Sequence, residues 1–206
     1  MSDDVRPSDS EAEPAPSPPV RTNDGWQPGD PTPREFVERA IRVDQAGEFG
    51  AVRIYEAQLA ALRWRGQGES PAARKIEHML AQEKEHRRVF DDLLVDRRVR
   101  PTALSPLWSV AGFALGAATA LLGENAAMAC TVAVEEAIDE HYTAQRERLG
   151  DDEVTLRDTV ERFRRDEVAH RDEALASGAE KAPAYELLTA AIRNGSRLAI
   201  WLSTRV

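Results

Sequence analysis

Two short motifs in this sequence have the composition and spacing of metal ligands. Each reads Glu-x-x-His, with Glu83 three residues before His86 and Glu167 three residues before His170. On a helix, residues three apart share a face, so a carboxylate oxygen and an imidazole nitrogen can reach one ion. Both pairs also interrupt apolar stripes of helical period, where an uncompensated carboxylate would be strongly destabilising. The pattern therefore predicts a metal ion inside the fold.

Two further glutamates, Glu48 and Glu135, interrupt the apolar stripes of two other predicted helices. The order Glu, Glu-x-x-His, Glu, Glu-x-x-His indicates an approximate duplication, because the first interval is 35 residues and the second is 32. Two helical hairpins of this kind would meet as a four-helix bundle with the ligands converging inside, as in ferritin-like di-iron proteins. The six predicted metal ligands are Glu48, Glu83, His86, Glu135, Glu167 and His170.

The charges of this ligand set predict two metal ions per chain. Four carboxylates and two neutral imidazoles carry four negative charges, which two divalent cations would neutralise. Oxygen-rich ligation without a thiolate suits iron or manganese better than zinc or copper, and does not separate iron from manganese. We expect Glu83 and Glu167 to bridge the ions, with His86 beside Glu48 and His170 beside Glu135.

Several polar residues near these ligands carry weaker predictions. Asp44 and Asp139, one turn from the solitary glutamates, are predicted to accept hydrogen bonds from the second nitrogens of the two ligand histidines. Tyr142 is expected in the core rather than as a redox relay, and His141 either beside the site or exposed; both are weak catalytic candidates. Three other polar residues are predicted at the surface: His78, Glu85 and Glu140.

Apolar periodicity and helix-breaking residues predict six helices, over 33–65, 70–98, 101–123, 125–149, 152–177 and 183–204. Ser70 is the predicted N-cap of the second helix, with Pro71 at its first position. Gly47 and Gly50 lie inside the first helix, where each costs about 1 kcal/mol relative to alanine. We therefore expect a neighbour or a ligand to approach closely there.

Two of these segments have the character of membrane-associated helices. Residues 101–123 contain no charged side chain, and their length would span a bilayer, but Pro106, three glycines and many alanines dilute the hydrophobicity. Trp108 near one end suits an interfacial position, and we expect a helix that lies in the membrane surface or packs as a long bundle crossover, with an ordinary buried helix as the plain alternative. The last helix sets apolar residues and Trp201 against arginines, which suits an anionic membrane surface.

Composition restricts the classes of partner and of metal site that the chain could have. A net charge of −9 without a basic run argues against nucleic acid as a partner, and the single cysteine, Cys130, excludes a disulfide framework or a cysteine-rich metal site. Residues 1–33 are acidic and proline-rich and predict a disordered tail before one domain at 34–206. They lack a signal-peptide pattern, which indicates a cytosolic start.

Four runs of the sequence resemble the demethoxyubiquinone hydroxylase family: IRVDQAGEFG (41–50), RPTALSPLW (100–108), GFALG (112–116) and AMACTVAVEE (127–136). The resemblance covers about residues 33–206, and all six predicted ligands match the family's metal positions. It implies a ferritin-like di-iron enzyme that uses O2 to hydroxylate a polyprenylated 6-methoxybenzoquinol in a late step of ubiquinone biosynthesis. It also implies a peripheral membrane protein, here expected on the cytoplasmic face of the inner or cell membrane.

Two alternatives from other classes share parts of this pattern. A ferritin-type ferroxidase or iron-storage protein would use the same ligands, and a structural bundle could carry a polar core network without metal. Prenyl length, electron donor, homo-oligomerisation and membership of a biosynthetic complex stay open.

Overall fold

The computed structural model describes residues 29–206, and this part of the chain contains α-helices and no β-strand. The all-α prediction is confirmed. The compact unit formed by this part is Thr32–Val206. Most of the predicted tail, residues 1–28, lies outside the described residues. The helices are α1 Pro33–Trp64, α2 Pro71–Asp96, α3 Ser105–Leu122, α4 Glu124–Arg148, α5 Val154–Ala176 and α6 Tyr185–Ser203.

Local capping explains where the first two helices begin. Thr32 and Glu35 form a reciprocal capping box, in which the Glu35 backbone N–H donates to Thr32 Oγ1 at 3.3 Å and the Thr32 backbone N–H donates to Glu35 Oε2 at 2.8 Å. Ser70 caps α2 as predicted, because its Oγ accepts from the Ala73 N–H at 3.1 Å. Proline occupies the first position of both helices.

The helices pack as two hairpins with two additional helices against them. α1 pairs with α2 and α4 pairs with α5, while α3 packs along α1 and α6 packs along α4. The buried side chains form two apolar clusters, one containing Tyr55, Met79 and Met128 and the other containing Phe90 and Phe163. On α2 and α5 the predicted ligands lie between residues of the two clusters, so apolar residues flank the candidate site on both sides along these helices.

Close approach between α1 and α3 depends on glycines in α3. A Cβ at Gly116 would lie 2.1 Å from the Ile54 carbonyl oxygen, and one at Gly112 would lie 3.0 Å from the Gly50 carbonyl oxygen. By contrast, a Cβ at Gly47 or Gly50 would meet no atom within 4 Å. The neighbouring helix expected near the α1 glycines therefore approaches the backbone of Gly50 and not the side-chain position of either glycine, and the alternative that a ligand approaches there stays a prediction.

The outer faces of α3 and α6 leave apolar side chains exposed. Among residues 29–206, α3 is the one helix long and apolar enough to cross a membrane, with a mean hydropathy of 1.4 and 22% of its residues buried. Only four of its residues are buried, so the interpretation as an ordinary buried helix is wrong, but α3 does pack along α1 as the crossover between the two hairpins. The indole N–H of Trp108 donates to Ser203 Oγ at 2.9 Å and joins α3 to α6. The large exposed apolar residues on the two helices are Leu107, Val110, Phe113, Leu121, Leu122, Leu187, Leu198 and Trp201.

The arginines of α6 are less available than the sequence pattern predicts. Arg193 Nη1 lies 3.1 Å from Glu136 Oε2, and Arg197 Nη2 lies 2.7 Å from Glu140 Oε1. Both partners belong to α4, so the packing of α6 neutralises these charges within the chain. The predicted basic face is therefore largely paired.

Candidate metal centre

The structure brings all six predicted ligands together in the bundle interior, and we refer to them as the Glu/His cluster. Each is at most 3% exposed. They form two groups of four whose candidate ligand atoms lie within 4.8 Å of one another, and Glu83 and Glu167 belong to both groups. Glu48 and His86 complete the first group, while Glu135 and His170 complete the second. This is the layout in which two shared glutamates would bridge two ions.

Unsatisfied oxygens show that the Glu/His cluster fits cations. Neither oxygen of Glu83 takes part in a hydrogen bond, although His170 Nδ1 lies 3.1 Å from Oε1, and Oε2 of both Glu48 and Glu135 also lacks a hydrogen-bond partner. Buried polar atoms are almost always paired, and an unpaired buried carboxylate is strongly destabilising. Divalent cations between the two hairpins would satisfy these oxygens.

The metal-free cluster adjusts its protonation to limit repulsion among its acids. Burial, followed by repulsion from Glu167, raises the pKa values of Glu83 and Glu135 well above the ordinary range. Burial also acts on Glu167, but hydrogen bonds from His170 and His86 outweigh it and lower the Glu167 pKa to about 2. For His86, burial favours the neutral ring, yet the hydrogen bond with Glu167 and the nearby carboxylate of Glu48, 3.6 Å from Nδ1, raise its pKa to about 10. Protons therefore supply positive charge that bound cations would otherwise supply.

The second nitrogens of the cluster histidines meet different partners from those predicted. Nε2 of His86 lies 3.1 Å from Asp166 Oδ2, and Nε2 of His170 lies 3.0 Å from Gln82 Oε1. Each partner comes from the facing hairpin and immediately precedes a shared glutamate in the chain. Nδ1 of each ring faces the cluster, because it lies 3.1 to 3.2 Å from an oxygen of Glu167.

Asp44 and Asp139 therefore do not hold the cluster histidines, and that prediction is wrong. Asp44 is buried and receives hydrogen bonds from His141 Nε2 at 3.0 Å and Gln145 Nε2 at 2.6 Å. Asp139 accepts from Arg164 at 2.8 Å. Each aspartate lies one turn from a cluster glutamate on the same helix. The second ring nitrogens instead contact Asp166 and Gln82, which belong to the facing hairpin in each case.

A crossed pair of tyrosines contacts the solitary glutamates. Tyr142 is buried as predicted, and its hydroxyl donates to Glu48 Oε1; Tyr55 donates to Glu135 Oε1 at 2.5 Å. Each tyrosine follows one solitary glutamate by seven residues and bonds to the other one. Tyr55 is not among the site residues predicted from the sequence, although the repeated pattern Glu-x6-Tyr-x-Ala-Gln in α1 and α4 is a signal that could have identified it.

The remaining polar candidates lie further from the cluster. The side chain of His141 is 20% exposed and bonds to Asp44, so it lies beside the polar residues that surround the site. The surface predictions for His78, Glu85 and Glu140 are confirmed, and the last two form ion pairs with arginines.

An apolar cavity of about 560 Å³ lies among α1, α3, α4 and α6. Ala51 and Ile138 form part of its wall, and each follows a solitary glutamate of the cluster by three residues. Because residues three apart on a helix share a face, the wall of the cavity lies about one helical turn from the cluster. Small residues of α1 and α6 also line it, namely Gly47, Gly50 and Gly195.

An all-α bundle with four buried glutamates and two histidines in overlapping groups defines a ferritin-like, carboxylate-rich protein with a cluster able to bind metal. Comparison with known proteins then specifies the family. Residues 35–203 match the family described as "Ubiquinone biosynthesis protein COQ7", and the chain belongs to this family. The family expected from the sequence motifs is confirmed.

Similar proteins come from bacteria and eukaryotes. A "3-demethoxyubiquinol 3-hydroxylase" of Rhodospirillum rubrum is 58% identical over 186 residues, covering 90% of this chain and 86% of the relative. The human "NADPH-dependent 3-demethoxyubiquinone 3-hydroxylase, mitochondrial" is 49% identical over 177 residues, covering 84% and 79%. The Saccharomyces cerevisiae "5-demethoxyubiquinone hydroxylase, mitochondrial" is 39% identical over 186 residues, covering 83% and 78%.

Proposed function

We propose that this chain is a di-iron monooxygenase that hydroxylates the ring of a polyprenylated demethoxyubiquinol with O2. The names of its relatives support this reaction over ferritin-type iron storage. The observation that carries the proposal is the Glu/His cluster, in which buried glutamates with unpaired oxygens form two overlapping four-ligand groups.

The cluster would hold two iron ions, one at Glu48 and His86 and the other at Glu135 and His170, with Glu83 and Glu167 shared. When bound, a pair of ferrous ions supplies the electrons that activate O2. Iron suits this role because the reaction requires a redox change, and carboxylate and imidazole ligands accommodate it. Tyr55 would hold one terminal carboxylate through a hydroxyl hydrogen bond, leaving the other carboxylate oxygen for the metal.

The overall reaction consumes O2, two electrons and two protons. One ring C–H bond becomes C–OH, one oxygen atom of O2 enters the product, and the other leaves as water after gaining two electrons and two protons. The human relative is named as NADPH-dependent, so reduced nicotinamide dinucleotide is the electron donor that we assign to this chain. The buried walls around the cluster would exclude bulk water from the reacting atoms.

The apolar cavity is the proposed quinol site. Its wall passes close to the cluster at Ala51 and Ile138, and its lining is almost entirely apolar, which suits a ring with a polyprenyl chain. Trp108 and Ser203 also line it, at the contact between α3 and α6. A substrate could therefore reach the cluster between the two helices that expose apolar side chains.

Membrane docking through α3 and α6 forms part of the proposal. Their exposed apolar residues would lie in the interfacial region of a bilayer, where the substrate's prenyl chain is dissolved. Because Arg193 and Arg197 are paired with α4, apolar burial should contribute more to this docking than charge. Flotation with neutral and anionic vesicles tests it; protein that stays wholly soluble with both, with unchanged tryptophan fluorescence, would contradict membrane docking.

The decisive test combines metal analysis with product formation. Reconstituted protein should hold two iron ions per chain and convert demethoxyubiquinol to the hydroxylated product with O2 and a reductant. Glu167→Ala should abolish product while leaving helical circular dichroism largely intact, and Glu85→Ala, at an exposed position in α2, should retain activity. Less than one iron or manganese per chain would favour a structural bundle, and a large shell in size-exclusion chromatography would favour a storage protein.

A further inference from the structure

The two halves of the Glu/His cluster differ in the residue that contacts the second nitrogen of each histidine. His86 Nε2 faces the carboxylate of Asp166 at 3.1 Å, whereas His170 Nε2 faces the amide oxygen of Gln82 at 3.0 Å. Asp166 and Gln82 occupy matching positions, because each directly precedes a shared glutamate. The approximate two-fold repeat of the cluster is therefore broken at one charged position.

This difference changes the strength of the two histidines as ligands. A carboxylate that accepts the Nε2–H of an imidazole fixes the tautomer and increases the basicity of Nδ1, the nitrogen that faces the cluster. A neutral amide oxygen fixes the same tautomer but draws the proton less strongly, since hydrogen bonds to charged acceptors are stronger.

Packing adds to the difference. The ring of His86 stacks on Phe163 with centroids 4.0 Å apart and an interplanar angle of 27°. Phe163 lies one turn before Glu167 on the same helix, so a single stretch of α5 supplies the stacked ring, the carboxylate partner and a shared glutamate. The orientation of His86 is thus held from two sides.

We propose that the two metal positions are unequal and that the position formed by Glu48 and His86 fills first. This inference rests on the proposed metal site and concerns the role of its flanking residues. Asp166 is a positioning residue that acts through His86, and Gln82 is its weaker counterpart at His170. The position whose histidine contacts Asp166 binds a divalent cation about 10- to 100-fold more tightly than the position whose histidine contacts Gln82. This range is typical of changes in the hydrogen-bonded partners of metal ligands.

The experiment must compare one position at a time, because repulsion between two ions would produce two affinities even in a symmetric site. Glu135→Gln removes a terminal ligand from the His170 position, and Glu48→Gln removes the equivalent ligand from the His86 position. Each variant is titrated with Mn²⁺, and free Mn²⁺ is measured by electron paramagnetic resonance. The Glu135→Gln protein should bind one ion about 10- to 100-fold more tightly than the Glu48→Gln protein.

Two further substitutions assign the difference to the flanking residues. In the Glu135→Gln protein, Asp166→Asn should weaken Mn²⁺ binding by about 10- to 100-fold. Asp172→Asn removes the same charge from the same helix at an exposed position that is paired with Arg171, and should change binding far less. Gln82→Glu, in a chain that retains all six ligands, should strengthen Mn²⁺ binding at the weaker of the two positions.

The outcomes separate this inference from the metal site itself. Equal affinities in the Glu135→Gln and Glu48→Gln proteins, or equal effects of Asp166→Asn and Asp172→Asn, would overturn the inequality while leaving the metal site in place. Failure of Gln82→Glu to change the weaker affinity would overturn the assignment to the flanking residues without relying on any ligand variant. Failure of the unmodified protein to bind Mn²⁺ or iron would overturn the metal site, and the inequality with it.

Discussion

Three glycines that line the apolar cavity should limit the stability of the protein. Gly47 and Gly50 lie within α1 and Gly195 lies within α6, and a Cβ at any of them would meet no atom within 4 Å. Glycine inside a helix costs about 0.8 to 1 kcal/mol relative to alanine. Replacing all three with alanine should therefore raise the free energy of unfolding by about 2 to 3 kcal/mol, if the effects are roughly additive.

The same substitutions should weaken binding of the quinol. Three methyl groups would enter a cavity of about 560 Å³ and displace parts of a bound ligand from apolar contact. One methylene group is worth about 0.8 kcal/mol of apolar burial, so a loss of about 2 kcal/mol, or roughly 30-fold in affinity, is expected. Gain of stability and loss of binding should thus occur together.

Urea denaturation followed by circular dichroism measures the first effect, and quenching of tryptophan fluorescence by a quinol analogue measures the second. Gly116→Ala is the matched control, because its Cβ would lie 2.1 Å from the Ile54 carbonyl oxygen and should destabilise the protein. A triple variant that is less stable than the unmodified protein would refute the open space assigned to the side-chain positions of the three glycines. A more stable variant with unchanged quinol affinity would refute the cavity as the binding site.

Two other predictions concern the Glu/His cluster. Tyr55→Phe and Tyr142→Phe should each weaken the binding of one of two Co²⁺ ions by about 10- to 100-fold, because each removes the hydroxyl that holds one terminal carboxylate. The control variant Tyr185→Phe should bind both ions normally. Loading the metal-free protein at neutral pH should release protons, because the pKa of His86 is raised to about 10 and the pKa values of Glu83 and Glu135 are also raised, so metal affinity should increase with pH. Calorimetry in buffers with different ionisation enthalpies measures this release, and heats that do not depend on the buffer would contradict it.

The sequence by itself was sufficient to predict the helices and the residues of the Glu/His cluster. Helical periodicity is a local property, so acids at apolar positions such as Glu48 and Glu135 can be recognised within one segment. Capping is also local, as the Ser70 side chain and Pro71 show at the start of α2. The physical requirement that buried carboxylates find positive charge then indicated that the segments would converge.

Only the tertiary structure decided which residues surround that cluster. The hydrogen bond from Tyr55 to Glu135 joins residues 80 positions apart, and the contact between His86 and Asp166 also spans 80 positions. Such contacts depend on the rotation and axial offset of facing helices, which the periodicity of one helix does not specify. The same reason explains why close packing occurs at Gly116, while Gly47 lines an open cavity.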